Sequence, residues 1–472
     1  MKYVSTRGEA PVLGFEDVLL TGLARDGGLY VPEAWPRLTP ADIAGMAGCS
    51  YEDVALRVMR PFIGGEIPDA DLAAMIREAY GSFSHRAVAP LVQTAPNQWI
   101  LELFHGPTLA FKDVAMQVLA RLMDRTLARR GKRATIVGAT SGDTGGAAIE
   151  AFRGRNSIDV FILFPHGRVS DVQRRQMTTP DESNVHAVAI DGTFDDCQNI
   201  VKALFNNLGL RDELQLAGVN SINWARLMAQ VVYYFSAGAA LGAPARRLSF
   251  SVPTGNFGDV FAGYVALRMG LPIDRLVIAT NVNDILARTV ATGRYSPLGV
   301  TATSSPSMDI QISSNFERLL LELAGGDTKR VRAHMASLGQ GGFTLASSEH
   351  EALRRNFSAT RVDETETLDE IRSLYRTTKY IADPHTAVGI AGARKLIGAP
   401  RGIDPSVPTV MLATAHPAKF PDAVAKAIGH LPPVPPVVEA QRTKPERISR
   451  LPADASEVAR FVKDRSRVGR PA

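Results

Sequence analysis

The chain is expected to be an α/β protein whose parallel sheets are covered by helices on both faces. Two observations carry this. From about residue 96 onward, short apolar runs alternate with segments of helical spacing, the pattern of strand, loop and helix that parallel sheets require. Two of the apolar runs lead directly into glycine-rich turns, at 138–146 and 253–259, and each turn opens a helix. In open sheets of this kind ligands sit beyond the carboxyl ends of strands, so chemistry is sought at the turns that follow them.

The first 95 or so residues read as mostly helical. Helical spacing covers 15–24, ending before the Gly27-Gly28 break, and 39–47, opened by Thr39-Pro40-Ala41-Asp42, a good helix start. It continues through 51–62 and 69–83. Residues 99–104 then read as a strand and 112–129 as a helix. Strands at 134–137, 159–164 and 185–190 alternate with helices at 144–152, 171–177 and 193–208. A strand at 248–252 precedes a helix at 260–269, and 275–280 and 409–413 are further strands. Beyond about 435 the chain is rich in Pro, Arg and Lys, with a last helix at 454–462.

Of the 472 residues 45% are hydrophobic, enough to bury a large core, and 21% are charged, near the globular average. The net charge of +5 is small for this length and comes with no basic run, which disfavours a nucleic-acid partner. Cys49 and Cys197 are too few for a disulfide scaffold or a metal cluster. The nine histidines show no metal-ligand spacing such as H-E-x-x-H, so no metal is expected. No stretch approaches the roughly 18 uninterrupted apolar residues of a membrane helix. The start, Met1 to Gly8, has no apolar core of a secretory signal, and a cytoplasmic setting follows as the expectation.

Four segments carry candidate chemistry. In Glu102-Leu103-Phe104-His105-Gly106-Pro107-Thr108-Leu109-Ala110-Phe111-Lys112-Asp113, a lysine opens a helix behind apolar residues. Desolvation and the positive end of a helix dipole both favour the neutral amine, a usable nucleophile. Gly138-Ala139-Thr140-Ser141-Gly142-Asp143-Thr144-Gly145-Gly146 offers backbone N–H groups, hydroxyls and a helix start to an anion. It lacks the Lys-Ser/Thr ending of a nucleotide-triphosphate loop. Pro253-Thr254-Gly255-Asn256-Phe257-Gly258-Asp259 forms a backbone nest suited to a phosphate. Leu412-Ala413-Thr414-Ala415-His416-Pro417-Ala418-Lys419-Phe420 sets a hydroxyl at a strand end. Taken singly, each has a structural alternative: a snorkelling lysine, a shaped turn, a capped strand. Together, an amine for an aldehyde, a nest for a phosphate, a turn for a carboxylate and a hydroxyl for a ring nitrogen are the parts of a pyridoxal-phosphate site.

At these residues the chain resembles the threonine synthases, in their longer bacterial and fungal branch. Tyr3-Val4-Ser5-Thr6-Arg7-Gly8, Asp26-Gly27-Gly28-Leu29-Tyr30-Val31-Pro32, Asp191-Gly192-Thr193-Phe194-Asp195-Asp196-Cys197-Gln198 and Ser221-Ile222-Asn223-Trp224-Ala225-Arg226 extend the likeness from residue 1 to about 430. The resemblance implies pyridoxal-phosphate fold type II, like the tryptophan synthase β subunit, with two parallel-rich αβα domains and a helical N-terminal region at 1–95. The catalytic region is expected at 96–435, with a smaller mobile subdomain at about 114–240, and a tail at 436–472.

By the same resemblance, Lys112 carries the cofactor as a Schiff base and moves the α-proton. Phe111 packs on the cofactor ring. Gly255, Asn256, Phe257 and Gly258 cradle its phosphate, and Thr414 hydrogen-bonds its ring nitrogen. Asp143 belongs near the ring hydroxyl, and Thr140, Ser141 and Thr144 near the substrate carboxylate. Asn223 and Arg226 reach the substrate phosphate. The implied reaction converts O-phospho-L-homoserine and water to L-threonine and phosphate by γ-elimination and β-addition, in a monomer or homodimer. A related fold type II lyase or dehydratase acting on a hydroxy- or phospho-amino acid shares Lys112 and the glycine loop and is the nearest alternative. A non-catalytic cofactor-binding protein is a more distant one.

Overall fold

The computed structural model describes residues 1–469, and two parallel sheets organise it. The larger has the order Phe357–Arg361, Ile273–Thr280, Leu248–Pro253, Thr409–Ala413, Gln98–Glu102 and Leu91–Ala95; the first five strands are parallel and the last is antiparallel. The smaller has the order Ser449–Pro452, Val185–Asp191, Ile158–Pro165, Ala134–Ala139 and Leu216–Ala217, all parallel. The expected α/β class with two parallel-rich sheets is what the chain adopts. Every residue of Ile158–Pro165, Leu248–Pro253 and Thr409–Ala413 is buried, as central parallel strands covered on both faces must be.

The N-terminal region is helical in the main, with Phe15–Thr21, Pro40–Ala44, Tyr51–Ile63 and Asp69–Tyr80. It also pairs Tyr3–Ser5 with Tyr30–Pro32 in an antiparallel ribbon that the sequence expectations omit. Phe15–Thr21 ends three residues sooner than its apolar spacing suggests, because Gly22, at φ 66°, turns the chain out of the helix. Thr39 and Asp42 form a reciprocal capping box at the start of Pro40–Ala44.

Lys112–Arg129 is buried over nearly its whole circumference rather than along one stripe. It lies between Asp69–Tyr80, Asp143–Phe152 and Trp224–Ala240. The segment beyond 435 does more than end in a helix. Ser449–Pro452 extends the smaller sheet beside Val185–Asp191, and Ala455–Arg465 packs its Val458, Phe461 and Val462 onto the core of that sheet.

Candidate active site

Lys112, Phe111, Asp143 and Thr414 come together beyond the carboxyl ends of three strands, and the 255–258 turn follows a fourth. Lys112 is the first residue of its helix and is buried. Its Nζ lies 3.6 Å from Asp143 Oδ2 and 4.8 Å from the centre of the Phe111 ring. Burial pushes the Lys112 ammonium down from the ordinary lysine range; Asp143 pulls it back, and Lys419 and Arg226 push it down further. The net fall favours the neutral amine that attack on an aldehyde needs.

Lys419 is a second lysine of this site, and its side chain is fully buried. Its Nζ donates to Asp143 Oδ1 at 2.8 Å, to the Thr108 carbonyl at 2.7 Å and to Gln176 Oε1 at 3.0 Å. Three protons meet three acceptors, so this ammonium is saturated and has no lone pair to offer. Burial alone would raise the Asp143 carboxyl, but Lys419 and Lys112, with a 2.9 Å hydrogen bond from Gln173 Nε2, outweigh it and hold Asp143 as a carboxylate well below the usual range. Of the two buried lysines, only Lys112 is free for covalent chemistry.

The turn after Leu248–Pro253 forms a cup. The Gly255 carbonyl accepts from Ser313 Oγ at 2.6 Å, and the Asn256 carbonyl accepts from the amide and side chain of Asn315 at 3.1 and 3.2 Å. Across a trans peptide the N–H of the next residue points the opposite way. Pinning these two carbonyls therefore turns the Asn256 and Phe257 amides to the other side. Among the described residues the amides of Gly255, Asn256, Phe257 and Gly258 have no acceptor. Four unmet donors at the start of helix Gly258–Met269 fit a phosphate. Phe257 takes φ 66°, a costly conformation for an aromatic residue, and its ring is held among Phe261, Phe316 and Phe357. Its backbone thus faces the cup while its side chain belongs to the core.

Thr414 follows Thr409–Ala413 and is buried. Its carbonyl accepts from the Phe111 amide at 2.8 Å, which ties it to the residue before Lys112. Its amide donates to Thr386 Oγ1 at 3.2 Å, and among the described residues its own hydroxyl has no partner. A free hydroxyl held by backbone on both sides fits a ring nitrogen.

The turn after Ala134–Ala139 is shaped by Thr140. Thr140 Oγ1 accepts from the Gly142 and Gly145 amides at 3.0 and 2.9 Å, so its oxygen shapes the turn while its hydroxyl proton has no acceptor among the described residues. Gly142 has φ 145°, and a Cβ there would strike the Gln173 side chain, so the turn requires glycine. Ser141 is exposed and Thr144 half-buried, and both hydroxyls are free among the described residues. Asn223 is committed elsewhere: Oδ1 caps helix Trp224–Ala240 by accepting from the Ala225 amide at 3.0 Å, and Nδ2 donates to the Leu19 carbonyl at 2.9 Å. Among the described residues, one N–H and one lone pair of the amide are left without a partner. Replacing Asn223 with alanine is expected to lower stability by about 1 kcal/mol or somewhat more, the scale of a lost cap, read in a denaturant titration.

Arg226 is the opposite case. It is buried, its guanidinium donates to the Val219 carbonyl at 2.9 Å, and its Nε has no partner. Burial lowers its guanidinium to about 10. No carboxylate among the described residues forms an ion pair with it, and a buried cation without one calls for an anion from outside. Lys419, Gln173, Gln176 and Thr108 went unassigned in the sequence. Lys419 does lie in the quoted Thr414–Phe420 segment, but nothing in its neighbours signals full burial.

A family model described as threonine synthase N terminus matches residues 2–80, one described as pyridoxal-phosphate dependent enzyme matches 93–414, and one described as threonine synthase, C-terminal matches 386–462. Among curated relatives, the threonine synthase of Pseudomonas aeruginosa is 52% identical over 473 residues, covering 100% of both chains. That of Saccharomyces cerevisiae is 44% identical, covering 90% of this chain and 89% of its own. Among solved structures, pyridoxal-phosphate-bound threonine synthase from Brucella melitensis superposes with a TM-score of 0.96 at 59% identity, covering 99% of this chain and 100% of that one. Threonine synthase from yeast gives 0.93 at 41% identity, with 98% of each chain covered.

Proposed function

The chain belongs to the threonine synthase family, and from that premise we propose how its buried residues divide the work of making L-threonine from O-phospho-L-homoserine. The enzyme depends on pyridoxal phosphate, which supplies an aldehyde for amines and an electron sink for the substrate's α-carbon. Lys112 holds that aldehyde through its ε-amine. Phe111 packs against the ring, the amides of 255–258 take the phosphate arm, and the Thr414 hydroxyl donates to the ring nitrogen. Asp143 faces the ring hydroxyl, kept anionic by Lys419. The single observation that carries this reading is the pair of buried lysines on one carboxylate, of which Lys112 alone has a free amine.

Once substrate is bound, Lys112 Nζ is the base for the α-proton and later returns it. A second proton leaves Cβ, phosphate leaves Cγ, Cγ gains a proton to become the methyl group, and water adds at Cβ, so that substrate and water equal threonine and inorganic phosphate. Ser141 and Thr144 bind the substrate carboxylate. Arg226 binds the leaving phosphate, and Asn223 fixes the helix that carries it. The segment 114–240 holds four strands of the smaller sheet, and we propose that it closes over the substrate to exclude water until elimination is complete. We place the enzyme in the cytoplasm as a monomer or homodimer; among the described residues no helix is long and apolar enough to cross a membrane.

Incubation with O-phospho-L-homoserine tests the assignment. Equal amounts of threonine and phosphate are expected, whereas 2-oxobutanoate would point to a lyase. Replacing Arg226 with glutamine is expected to raise KM for the substrate at least roughly 30-fold, corresponding to the about 2–5 kcal/mol lost when a buried charge pair loses one partner. The absorbance of the bound cofactor should remain. An unchanged KM would remove Arg226 from the substrate site.

A further inference from the structure

The segment Asp383-Pro384-His385-Thr386 lies outside the residues assigned so far, yet its hydrogen bonds run toward both ends of the cofactor site. Asp383 is fully buried and caps helix Pro384–Leu396. Its Oδ1 accepts from the Thr386 amide at 3.1 Å and from the Thr386 hydroxyl. Its Oδ2 accepts from the His385 amide at 2.9 Å and sits 2.7 Å from His385 Nδ1. From this one carboxylate two arms extend.

The first arm reaches Thr414. Because the Thr386 hydroxyl donates its only proton to a carboxylate, its oxygen lone pairs are left for the Thr414 amide at 3.2 Å. The second arm reaches the phosphate cup. His385 Nε2 accepts from the Ser307 amide at 3.2 Å, which requires a neutral ring with its proton on Nδ1, pointing at Asp383. The Ser307 carbonyl in turn lies 2.9 Å from where a Cβ on Gly255 would stand, so the 306–308 turn is packed directly on the cup. The His385 ring also packs against the Phe420 ring, with centroids 4.8 Å apart.

We propose that Asp383 is a positioning residue that sets both ends of the cofactor site at once, orienting Thr414 through Thr386 and seating the 255–258 cup through His385 and Ser307. The proposal rests on the assignment of Thr414 to the ring nitrogen and of the cup to the phosphate. An isosteric amide cannot replace the carboxylate, because the Asp383→Asn side chain would carry two donor hydrogens on one side. Aimed at His385 they force the proton onto Nε2, which then meets the Ser307 N–H donor to donor. Aimed at Thr386 they oppose its amide.

The arms separate experimentally. Apoprotein of the wild type and of Asp383→Asn, Thr386→Val, Thr386→Ser and His385→Phe is titrated with pyridoxal phosphate, and its melting temperature is recorded without cofactor. For Thr386→Val, we expect a shifted absorbance maximum of the bound cofactor and kcat lower by roughly tenfold, the scale of one buried donor left unpaired. Thr386→Ser should restore both. For His385→Phe, a dissociation constant for pyridoxal phosphate raised roughly tenfold is expected, with the absorbance maximum unmoved. Asp383→Asn should show both defects; should it fail to fold, the two single-arm variants still decide. Melting temperatures that fall while cofactor affinity, spectrum and kcat match the wild type would overturn the relay and leave a purely structural helix cap. If the wild type itself takes up no pyridoxal phosphate, the reading of the site fails, and the relay with it.

Discussion

Replacing Lys112 with alanine is expected to abolish the visible absorbance of the lysine-bound cofactor and to reduce turnover by at least about 10²–10⁴-fold, the contribution of a positioned acid–base group. The fold should survive, because Lys112 makes no hydrogen bond that anything else needs: its nearest charged partner, Asp143, is 3.6 Å away and keeps the closer Lys419. The same lysine sets a pH signature. Burial lowers its pKa, so the neutral amine is present at lower pH than for an ordinary lysine near 10.4. The rate of cofactor capture by apoprotein should therefore rise with pH and level off below that value. Asp143 raises the Lys112 pKa and Lys419 lowers it. Asp143→Asn is thus expected to move the profile to lower pH, and Lys419→Met to higher pH. Profiles that do not move, or move the other way, would place the capturing amine elsewhere.

The second large effect concerns Lys419 itself. Its Nζ joins Asp143 and Gln176, which follow strands of the smaller sheet, to Thr108 and its own position after the larger sheet. Gln176 Nε2 adds a 3.0 Å bond to the same Thr108 carbonyl, and Asp113 holds the Thr108 loop with bonds of 2.8 and 2.6 Å to its amide and hydroxyl. Burial raises the Asp113 carboxyl to about 6 in spite of those bonds. Lys419→Met removes one partner of a fully buried ion pair and is expected to cost about 3–5 kcal/mol of stability. Asp143→Asn should cost a similar amount by stranding the Lys419 ammonium. In the double variant the losses should fall short of their sum, by about 0.5–3 kcal/mol, as for residues in one network. Strict additivity in denaturant titrations would mean that the pair is not coupled.

Much of this site was legible because its backbone is built from local signals. Thr409–Ala413 and Lys112–Arg129 occupy the ranges that their apolar patterns imply, and both glycine-rich turns stand where a strand ends and a helix starts. Trp224–Ala240 escaped because it is buried on nearly all sides, so its burial leaves no stripe to read. Pro384–Leu396 carries a proline and two glycines that suggest a loop, yet the proline is at the helix start and the glycines meet the backbone or side chains of Pro253 and Ala279 closely. The edge strands Phe357–Arg361 and Ser449–Pro452 are short and partly exposed, and only their neighbours make them strands. At the site, residue types pointed to Lys112, Thr414 and the cup. That Lys419 is already spent depends on Thr108, Asp143 and Gln176, which are far away in the chain, and spacing does not record them.

The most direct measurement is the identity of the lysine that carries the cofactor. The protein, loaded with pyridoxal phosphate, is reduced with borohydride, digested and sequenced by mass spectrometry. The pyridoxyl group is expected on Lys112, with Lys419 unmodified. A label on Lys419, or on any lysine away from the 255–258 turn, would contradict the division of roles between the two buried amines.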